Sequence, residues 1–270
     1  MSAAPASRER IARLIEPLRA HPERAAVLCD VDGTLAPITA RPDQTLVPAP
    51  VRQALARIAD RYRLVACVSG RPAATARALV GLDGIVYLGN HGLETLGAGA
   101  GEPELAPAAT AAAGRARELV ESLDAARLAT VGLRLEDKGP IQALHWRGAE
   151  SLAAAELEAR EVAALAQASG LEPHWGRRVL ELRPPTGIDK GTSVERLVAG
   201  AGVDSALYGG DDLTDLDAFT GLDRLLAAGR LLHAVRVGVG SPEGPAALVE
   251  RCDLLVDGTE GFRAVLEALT

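Results

Sequence analysis

Short apolar runs that end in polar residues recur through the first and last thirds of the chain. Between them lie segments whose apolar residues return every three or four positions, the spacing of an amphipathic helix. The apolar runs stand at 25–31, 63–70, 85–92, 206–212, 234–240 and 253–258. Short apolar strands that alternate with helices are typical of a parallel sheet covered by helices on both faces. We therefore predict an α/β fold with a Rossmann-like parallel sheet as its core.

Several of the intervening segments carry helix signals of their own. The segment 7–20 is amphipathic, and Ser7 is a candidate N-cap. A second helix is predicted over 49–60, where Pro50 suits the first turn. Another follows the sequence GIDKG, and a last helix is predicted over 259–269. These helices supply the covering layers that a parallel sheet requires.

The pattern changes in the middle of the chain. A stretch rich in Gly, Pro and Ala at 97–108 is typical of a hinge or linker. Beyond it, a helix followed by two strands of alternating apolar and polar residues occurs twice, which predicts an antiparallel sheet with helices on one face. The segments are helices at 109–128 and 149–168 and strands at 131–139, 141–148, 171–175 and 177–184. We assign residues 1–106 and 185–270 to the core domain and 107–184 to an inserted α+β cap domain.

Composition and charge exclude several classes of function. With a net charge of −7 and an isoelectric point near 5.4, the chain is not expected to bind nucleic acid. The chain has three cysteines, Cys29, Cys67 and Cys252. Because their number is odd and each stands next to apolar residues, we expect reduced thiols. The N-terminus has no apolar signal segment, and no apolar run is long enough to span a bilayer. We expect a cytoplasmic monomer that has no membrane partner.

Polar side chains gather at the carboxyl ends of the predicted core strands, where open α/β sheets bind their ligands. They are Asp30 and Asp32, Ser69 with Gly70 and Arg71, and Asp211 with Asp212, and Lys190 begins a helix. Clustered carboxylates repel one another, and a hard cation with oxygen ligands removes that repulsion. The cluster therefore predicts Mg²⁺ and an anion held by Ser69 and Lys190. Capping of turns and helices is the alternative interpretation, and for the Ser69 turn alone it would be the stronger one.

A phosphoryl group is the anion that fits this set best. A carboxylate is a good nucleophile for phosphorus, so Asp30 can form an aspartyl-phosphate. Asp32 lies two residues on, on the same side of the chain, and can act as general acid and then as base. Mg²⁺ and Lys190 would neutralise charge on the transferring group.

Four motifs in this order resemble those of the haloacid dehalogenase-like phosphatases: DVDGTL, SGR, DKG and GDDLTD. The resemblance implies that Asp30 is the nucleophile, Asp32 the acid and base, and that Ser69 and Lys190 hold the phosphate. It implies Mg²⁺ bound by the Asp30 carboxylate, the Asp32 backbone carbonyl and Asp211. Asp212 and Asp215 would then support the metal from behind its direct ligands or through water. The insert stands between SGR and DKG, where this family places its larger type of cap.

Within that family the chain is similar to the trehalose-6-phosphate phosphatases. The matching pieces are GNHGLE (89–94), LEDKG (135–139), ALHWR (143–147), LELRP (180–184) and GGDDLTDLDAF (209–219). Two positions depart from that likeness, because Leu216 stands where an acid is usual and Trp146 where tyrosine is common. The resemblance implies a phosphatase for trehalose 6-phosphate. Another disaccharide phosphate or a glycosyl-glycerate phosphate is the alternative substrate.

Alternate residues of the cap strands share a polar face that can supply donors and acceptors to sugar hydroxyls. A solvated sheet face is the alternative interpretation for each of them. The candidate substrate contacts, with those of the core strand ends, are Ser69, Gly70, Arg71, Asn90, His91, Arg134, Glu136, Lys138, His145, Arg147 and Glu181. A receiver-like signalling domain also combines acids, a hydroxyl and a lysine at strand ends. The chain length and the predicted cap argue against that class.

Overall fold

The computed structural model describes residues 8–39, 45–241 and 244–270. The chain divides into two compact units. The core unit consists of Met1–Glu104 and Ile188–Thr270, and the cap unit is Leu105–Gly187. The predicted cap, 107–184, lies inside the second unit. The predicted N-cap Ser7 lies outside the described residues.

The core unit alternates strands and helices along most of its length. Its helices are α1 (Arg8–Ala20), α2 (Ala49–Ala59), α3 (Ala73–Val80), α7 (Lys190–Ala201), α8 (Leu213–Ala227), α9 (Ala246–Arg251) and α10 (Gly258–Leu269). Its strands are β1 (Ala25–Cys29), β2 (Leu64–Val68), β3 (Val86–Gly89), β4 (Glu94–Leu96), β10 (Ser205–Gly210), β11 (His233–Gly240) and β12 (Leu254–Asp257). One further strand of the same sheet, β5 (Glu104–Leu105), stands where the core unit ends in the sequence.

These strands form an eight-stranded sheet in the order β12-β11-β10-β1-β2-β3-β4-β5. All pairs from β12 to β3 are parallel, as predicted, whereas β4 runs antiparallel to β3. Strand β1 lies between β10 and β2, with Cys29 in register with both Gly209 and Cys67. The residues that follow these strands therefore leave the sheet at the same level.

Apolar layers cover both faces of this sheet. Val27 and Cys29 point into a cluster with residues of α1, α2 and α10, whereas Ala26 and Leu28 join the residues of α7 and α8. All five residues of β1 are buried. A central strand that is buried on both faces reads as a continuous apolar run, which is why the sequence pattern identifies it.

Two short strands and a tight turn were not predicted. The run 85–92 ends as a strand at Gly89, and Asn90 and His91 then adopt positive φ angles of 49° and 58°. The chain returns through β4, and β5 lies within the predicted linker 97–108. Left-handed backbone at a non-glycine residue is uncommon. Asn and His adopt it more often than other residues, but their presence alone does not predict a reversal, so the turn escapes pattern analysis.

The cap unit packs two layers against each other. It contains α4 (Pro107–Glu121), α5 (Ala125–Thr130), β6 (Arg134–Asp137), β7 (Gln142–His145), α6 (Leu152–Ala168), β8 (Glu172–Gly176) and β9 (Val179–Arg183). The sheet is antiparallel in the order β6-β7-β9-β8. The predicted single helix over 109–128 is wrong. Asp124 interrupts it, because its carboxylate accepts hydrogen bonds from the Ala126 and Arg127 amides and so caps a second helix.

No helix in the described ranges is long and apolar enough to cross a membrane.

Candidate active site

Asp30 follows the last residue of β1 and is buried, with 5% of its surface exposed. Its amide donates to the Gly209 carbonyl, which extends the pairing with β10 by one residue. Its carboxylate Oδ1 lies 2.7 Å from Lys190 Nζ. Burial raises the pKa of Asp30, opposed by Lys190 and reinforced by the charges of Asp215 and Asp211. A further cation next to Asp30 would stabilise its ionised form.

Lys190 is the first residue of α7 and is 3% exposed. The helix start is fixed by Asp189, whose side chain accepts from the Thr192 amide in a reciprocal capping box. The ammonium group also lies 2.8 Å from Asp215 Oδ1. Burial opposes the charge, but the two carboxylates outweigh it and raise the pKa of Lys190. The two carboxylates therefore favour the charged form of Lys190 beside Asp30.

Asp215 links most of the groups at this strand end. Its Oδ1 accepts from Lys190 and from the Tyr208 hydroxyl at 2.7 Å. Its Oδ2 accepts from the amides of Asp211 and Asp212, each at 2.9 Å. Four hydrogen bonds use both oxygens of a carboxylate that is completely buried. Asp215 therefore holds the loop and the lysine in place.

The oxygen donors here fit a hard cation. Carboxylate oxygens of Asp30, Asp211 and Asp215 all lie within 4.8 Å of one another. Asp211 is buried and lies against Gly33, where a Cβ atom would stand 2.2 Å from its Oδ2. Gly33, with a φ of 90°, thus lets that carboxylate approach the backbone that follows Asp32. Both oxygens of Asp215 already accept hydrogen bonds, which leaves Asp30 and Asp211 as the carboxylates that could hold Mg²⁺. The Asp32 carbonyl stays the further ligand that the resemblance implies.

Asp212, a predicted metal residue, has another partner in this structure. It is the N-cap of α8, and its Oδ1 accepts from the Leu213 amide at 2.7 Å. Asp212 and Asp215 form a reciprocal capping box. Helix capping was the alternative interpretation of this acidic run, and the geometry accounts for Asp212 in that way. A metal role for Asp212 through water stays a prediction.

Asp32 is clamped by Arg71 from the second motif. Arg71 donates from Nε to Oδ2 at 2.7 Å and from Nη2 to Oδ1 at 2.6 Å, a bidentate pair. Arg71 Nη2 also lies 3.1 Å from the Thr45 hydroxyl. The Ser69 hydroxyl accepts from the Arg71 amide at 3.1 Å and is 1% exposed. Arg71, predicted as a substrate contact, thus already holds the predicted acid and base.

Asn90 and His91 follow β3 and form hydrogen bonds with the Ser69 turn. The Asn90 amide donates to the Arg71 carbonyl, and the His91 amide donates to the Ser69 carbonyl. A Cβ on Gly70 would lie 2.7 Å from His91 Nε2, so the imidazole packs directly over that glycine. The Asn90 side chain donates to Glu94 Oε1 at 2.8 Å. These contacts place both residues beside the predicted phosphate turn, where their role toward substrate stays a prediction.

Polar side chains of the cap unit form two charged groups. Glu181 accepts from Lys138 at 2.8 Å on one oxygen and from Arg183 at 2.6 and 3.0 Å on the other. These three side chains are between 8% and 11% exposed.

The other group, Glu136 with His145 at 2.6 Å, is more exposed. The hydrogen bond from His145 lowers the pKa of Glu136 against the opposing effect of burial. Arg134 and Arg147 are exposed.

Three residues at or next to the site were missed by sequence reasoning. Tyr208 reads as part of an apolar strand, and only the fold shows its hydroxyl on Asp215. Thr45 belongs to a segment without periodicity, and Glu94 to an unpredicted strand. Leu216, one of the two departures from the family pattern, packs against the apolar cluster beneath α7 and α8, and Trp146, the other, is buried in the apolar cluster of the cap unit.

Comparisons with known proteins place this chain in a family. The trehalose-phosphatase family model matches residues 28–243. A trehalose-phosphate phosphatase of Mycolicibacterium paratuberculosis is 36% identical over 209 residues, which are 72% of this chain and 50% of that protein. An uncharacterised glycosyl hydrolase of Mycobacterium tuberculosis is 37% identical over 203 residues, 73% of this chain but 15% of that protein. The chain thus spans half or less of these relatives.

Solved structures confirm the predicted fold. The C-terminal domain of a Candida albicans trehalose-6-phosphate phosphatase superposes with a TM-score of 0.78 at 20% identity, covering 99% of this chain and 98% of that one. A haloacid dehalogenase-like hydrolase from Bacteroides thetaiotaomicron superposes with a TM-score of 0.60 at 18% identity, covering 91% and 99%. The core therefore has a haloacid dehalogenase-like fold. The family model and the relative at 36% identity show that the chain belongs to the trehalose-phosphatase family.

Proposed function

We propose that this chain is a Mg²⁺-dependent phosphatase that hydrolyses trehalose 6-phosphate to trehalose and phosphate through an aspartyl-phosphate on Asp30. The observation that carries the proposal is the buried set of Asp30, Lys190, Asp215 and Asp211 at the end of the central strands. The names of the curated relatives support trehalose 6-phosphate as the substrate. When bound, Mg²⁺ supplies positive charge that stabilises the transferring phosphoryl group.

In the first step the Asp30 carboxylate attacks phosphorus, and the bond from phosphorus to the sugar oxygen breaks. Asp32 gives its proton to that oxygen, and the sugar leaves neutral. Lys190 and the Ser69 turn hold the phosphoryl oxygens. In the second step Asp32 takes a proton from water, whose oxygen attacks phosphorus. The bond to Asp30 then breaks, and inorganic phosphate leaves.

In this mechanism Arg71 has to release one oxygen of Asp32. Both oxygens of Asp32 accept from its guanidinium group, which is the arrangement of an ionised carboxylate. To protonate the leaving sugar oxygen, Asp32 must carry a proton on one of those oxygens. We propose that the phosphate of the substrate competes for Arg71 and frees one oxygen of Asp32.

The cap unit supplies the groups that we propose contact the sugar. Lys138 and Arg183 donate to the Glu181 carboxylate, and we propose that this group offers donors and an acceptor to the sugar hydroxyls. Glu136 with His145 adds a second acid and base. Arg134 and Arg147 remain predicted contacts of the same kind. The predictions of a monomer and of a cytoplasmic location also stand as predictions.

Phosphate release from a panel of sugar phosphates tests the proposal. The panel contains trehalose 6-phosphate, other disaccharide phosphates and glycosyl-glycerate phosphates, each with and without a chelator. Asp30→Asn is expected to abolish release, whereas Asp60→Asn, at the exposed end of α2, leaves it unchanged. Release that survives chelation or Asp30→Asn contradicts the mechanism. A higher kcat/KM for another sugar phosphate contradicts the choice of trehalose 6-phosphate as the substrate and leaves the mechanism standing.

A further inference from the structure

The cap unit carries a concave surface away from the two charged groups around Glu181 and Glu136. A pocket of about 570 Å³ is lined by Trp146, Trp175, Glu156, Arg160 and Arg178, together with Leu152 and two small residues. That volume lies within the range of small-molecule sites, roughly 300–1,000 Å³. The chain has two tryptophans, and both line this pocket.

The pocket opens on the helix-covered face of the cap sheet. Trp175 is in register with Leu180, whose side chain is buried in the cluster under α6, and Trp146 joins the same cluster. Glu181 is the next residue along β9 and is in register with His174, so its side chain points to the other face. The pocket is therefore separate from the face that we propose binds the sugar phosphate.

The aromatic rings of the pocket are held at an angle. Trp146 and Trp175 meet edge to face, with ring centroids 6.0 Å apart and planes at 75°. The Arg160 guanidinium lies 5.4 Å from the centre of the Trp175 ring, and Glu156 holds it at 2.6 Å. Trp175 nevertheless keeps 45% of its surface exposed. Trp175 therefore offers part of its indole to a ligand, beside a guanidinium and a carboxylate that pair with each other.

Arg178 is fixed at the rim by a strained backbone. Its φ is 63°, a left-handed conformation that costs a non-glycine residue on the order of 1 kcal/mol. Its carbonyl accepts from the Trp146 amide at 3.1 Å, which ties the tip of the β8–β9 hairpin to the tryptophan. The strain therefore sets an arginine next to the two indole rings.

We propose that this pocket is a second carbohydrate site, which binds a neutral glycoside with the chemistry of the dephosphorylated disaccharide. The apolar face of a pyranose ring lies on an indole, while its hydroxyls need both donors and acceptors at the edge. Arg178 and Arg160 donate, and Glu156 accepts. Glu156 offsets one of the two guanidinium charges, so the lining keeps one net positive charge. The choice of a neutral ligand therefore rests on the open indole of Trp175 and not on charge. The choice of trehalose as the probe rests on the proposed function.

Intrinsic tryptophan fluorescence tests the site directly, because both tryptophans lie in it. Trehalose is titrated into the Asp30→Asn protein, which excludes turnover, with maltose, glucose, glycerol and trehalose 6-phosphate as further arms. We expect a saturable change in emission with trehalose and none with glycerol. Trp175→Ala should weaken binding at least about tenfold, with Trp146 still reporting. Trp175→Phe, which keeps an aromatic ring, should retain part of the affinity that Trp175→Ala loses.

Two control variants separate this pocket from other surfaces. Leu157→Ala removes an exposed side chain of α6 outside the lining, and it should leave binding unchanged. Glu181→Gln changes the opposite face of the sheet, and it should also leave the signal unchanged. No saturable signal with any glycoside, a signal lost in Glu181→Gln but kept in Trp175→Ala, or binding of the phosphorylated sugar alone would each overturn the proposal. The phosphate-release panel is independent of these outcomes.

Discussion

The hydroxyl of Tyr208 offers a quantitative test of the network around Asp215. Tyr208 is completely buried and donates to Asp215 Oδ1 at 2.7 Å. Burial, followed by the charge of Asp215, raises the pKa of Tyr208, so the hydroxyl keeps its proton and can donate. Tyr208→Phe removes that donor and keeps the ring, which packs edge to face on Phe219 with centroids 6.1 Å apart. The variant therefore isolates one hydrogen bond.

The other two tyrosines provide matched controls in the same unit. The Tyr62 hydroxyl donates to the Leu269 carbonyl at 3.0 Å, and the Tyr87 hydroxyl donates to the Leu82 carbonyl at 2.6 Å. A bond to a neutral acceptor contributes about 0.5–1.5 kcal/mol, whereas one to a charged group contributes about 1.5–3 kcal/mol. We therefore expect Tyr208→Phe to lower the free energy of unfolding by about 2 kcal/mol and each control by about 1 kcal/mol.

Urea denaturation followed by far-ultraviolet circular dichroism measures these differences. Tryptophan emission is unsuitable, because both tryptophans lie in the cap unit and all three tyrosines in the core unit. The slope of the free energy against urea should be the same for all variants. Tyr208→Phe should also lower kcat for phosphate release, because Asp215 orients Lys190, whereas the controls keep it. A loss of stability no larger than in the controls, together with an unchanged kcat, would refute the role of this bond.

Three further predictions concern the core and cap sites. Arg71→Lys keeps the charge but loses the bidentate geometry, so kcat/KM for phosphate release should fall about tenfold. Gly33→Ala should abolish activity, since its Cβ would lie 2.2 Å from the Asp211 carboxylate, whereas Gly99→Ala, with open space around it, costs only about 1 kcal/mol of stability. The lowered pKa of Glu136 stabilises the fold above about pH 4.3, the usual value, and this contribution is lost as the pH falls through the lowered pKa. Thermal melts between pH 3 and 7 should show a weaker dependence on pH in Glu136→Gln.

The strand ends of the core could be predicted because topology fixes where they lie. A buried central strand is apolar at every position, so the first polar residue marks its end. Parallel neighbours in register then bring Asp30, Ser69 and Asp211 to one edge without any knowledge of the helices. The resemblance to known phosphatases added roles to residues that the pattern had already gathered.

The partners of those residues could not be predicted in the same way. The Arg71 guanidinium reaches Asp32 across 39 positions of sequence, and Lys190 reaches Asp30 across 160. Such pairs depend on the rotamers and on the exact end of each helix. Asp212 illustrates the limit, because an acid at the start of a helix serves equally as a cap or as a ligand until its hydrogen bonds are seen.

Burial of charge in the cap unit shows why alternation alone is insufficient there. Period-two alternation puts Glu181 and Arg183 on the polar face of a strand, and a polar face of a small sheet is ordinarily solvated. In the structure Glu181 is buried and Arg183 is largely covered, and Glu181 pairs with Arg183 and with Lys138, which lies 43 positions away. Glu136 stands on the same face but pairs with His145 alone, and it stays about half exposed. The number of charged partners, which depends on strand order, therefore decides which polar residues of an alternating strand are buried.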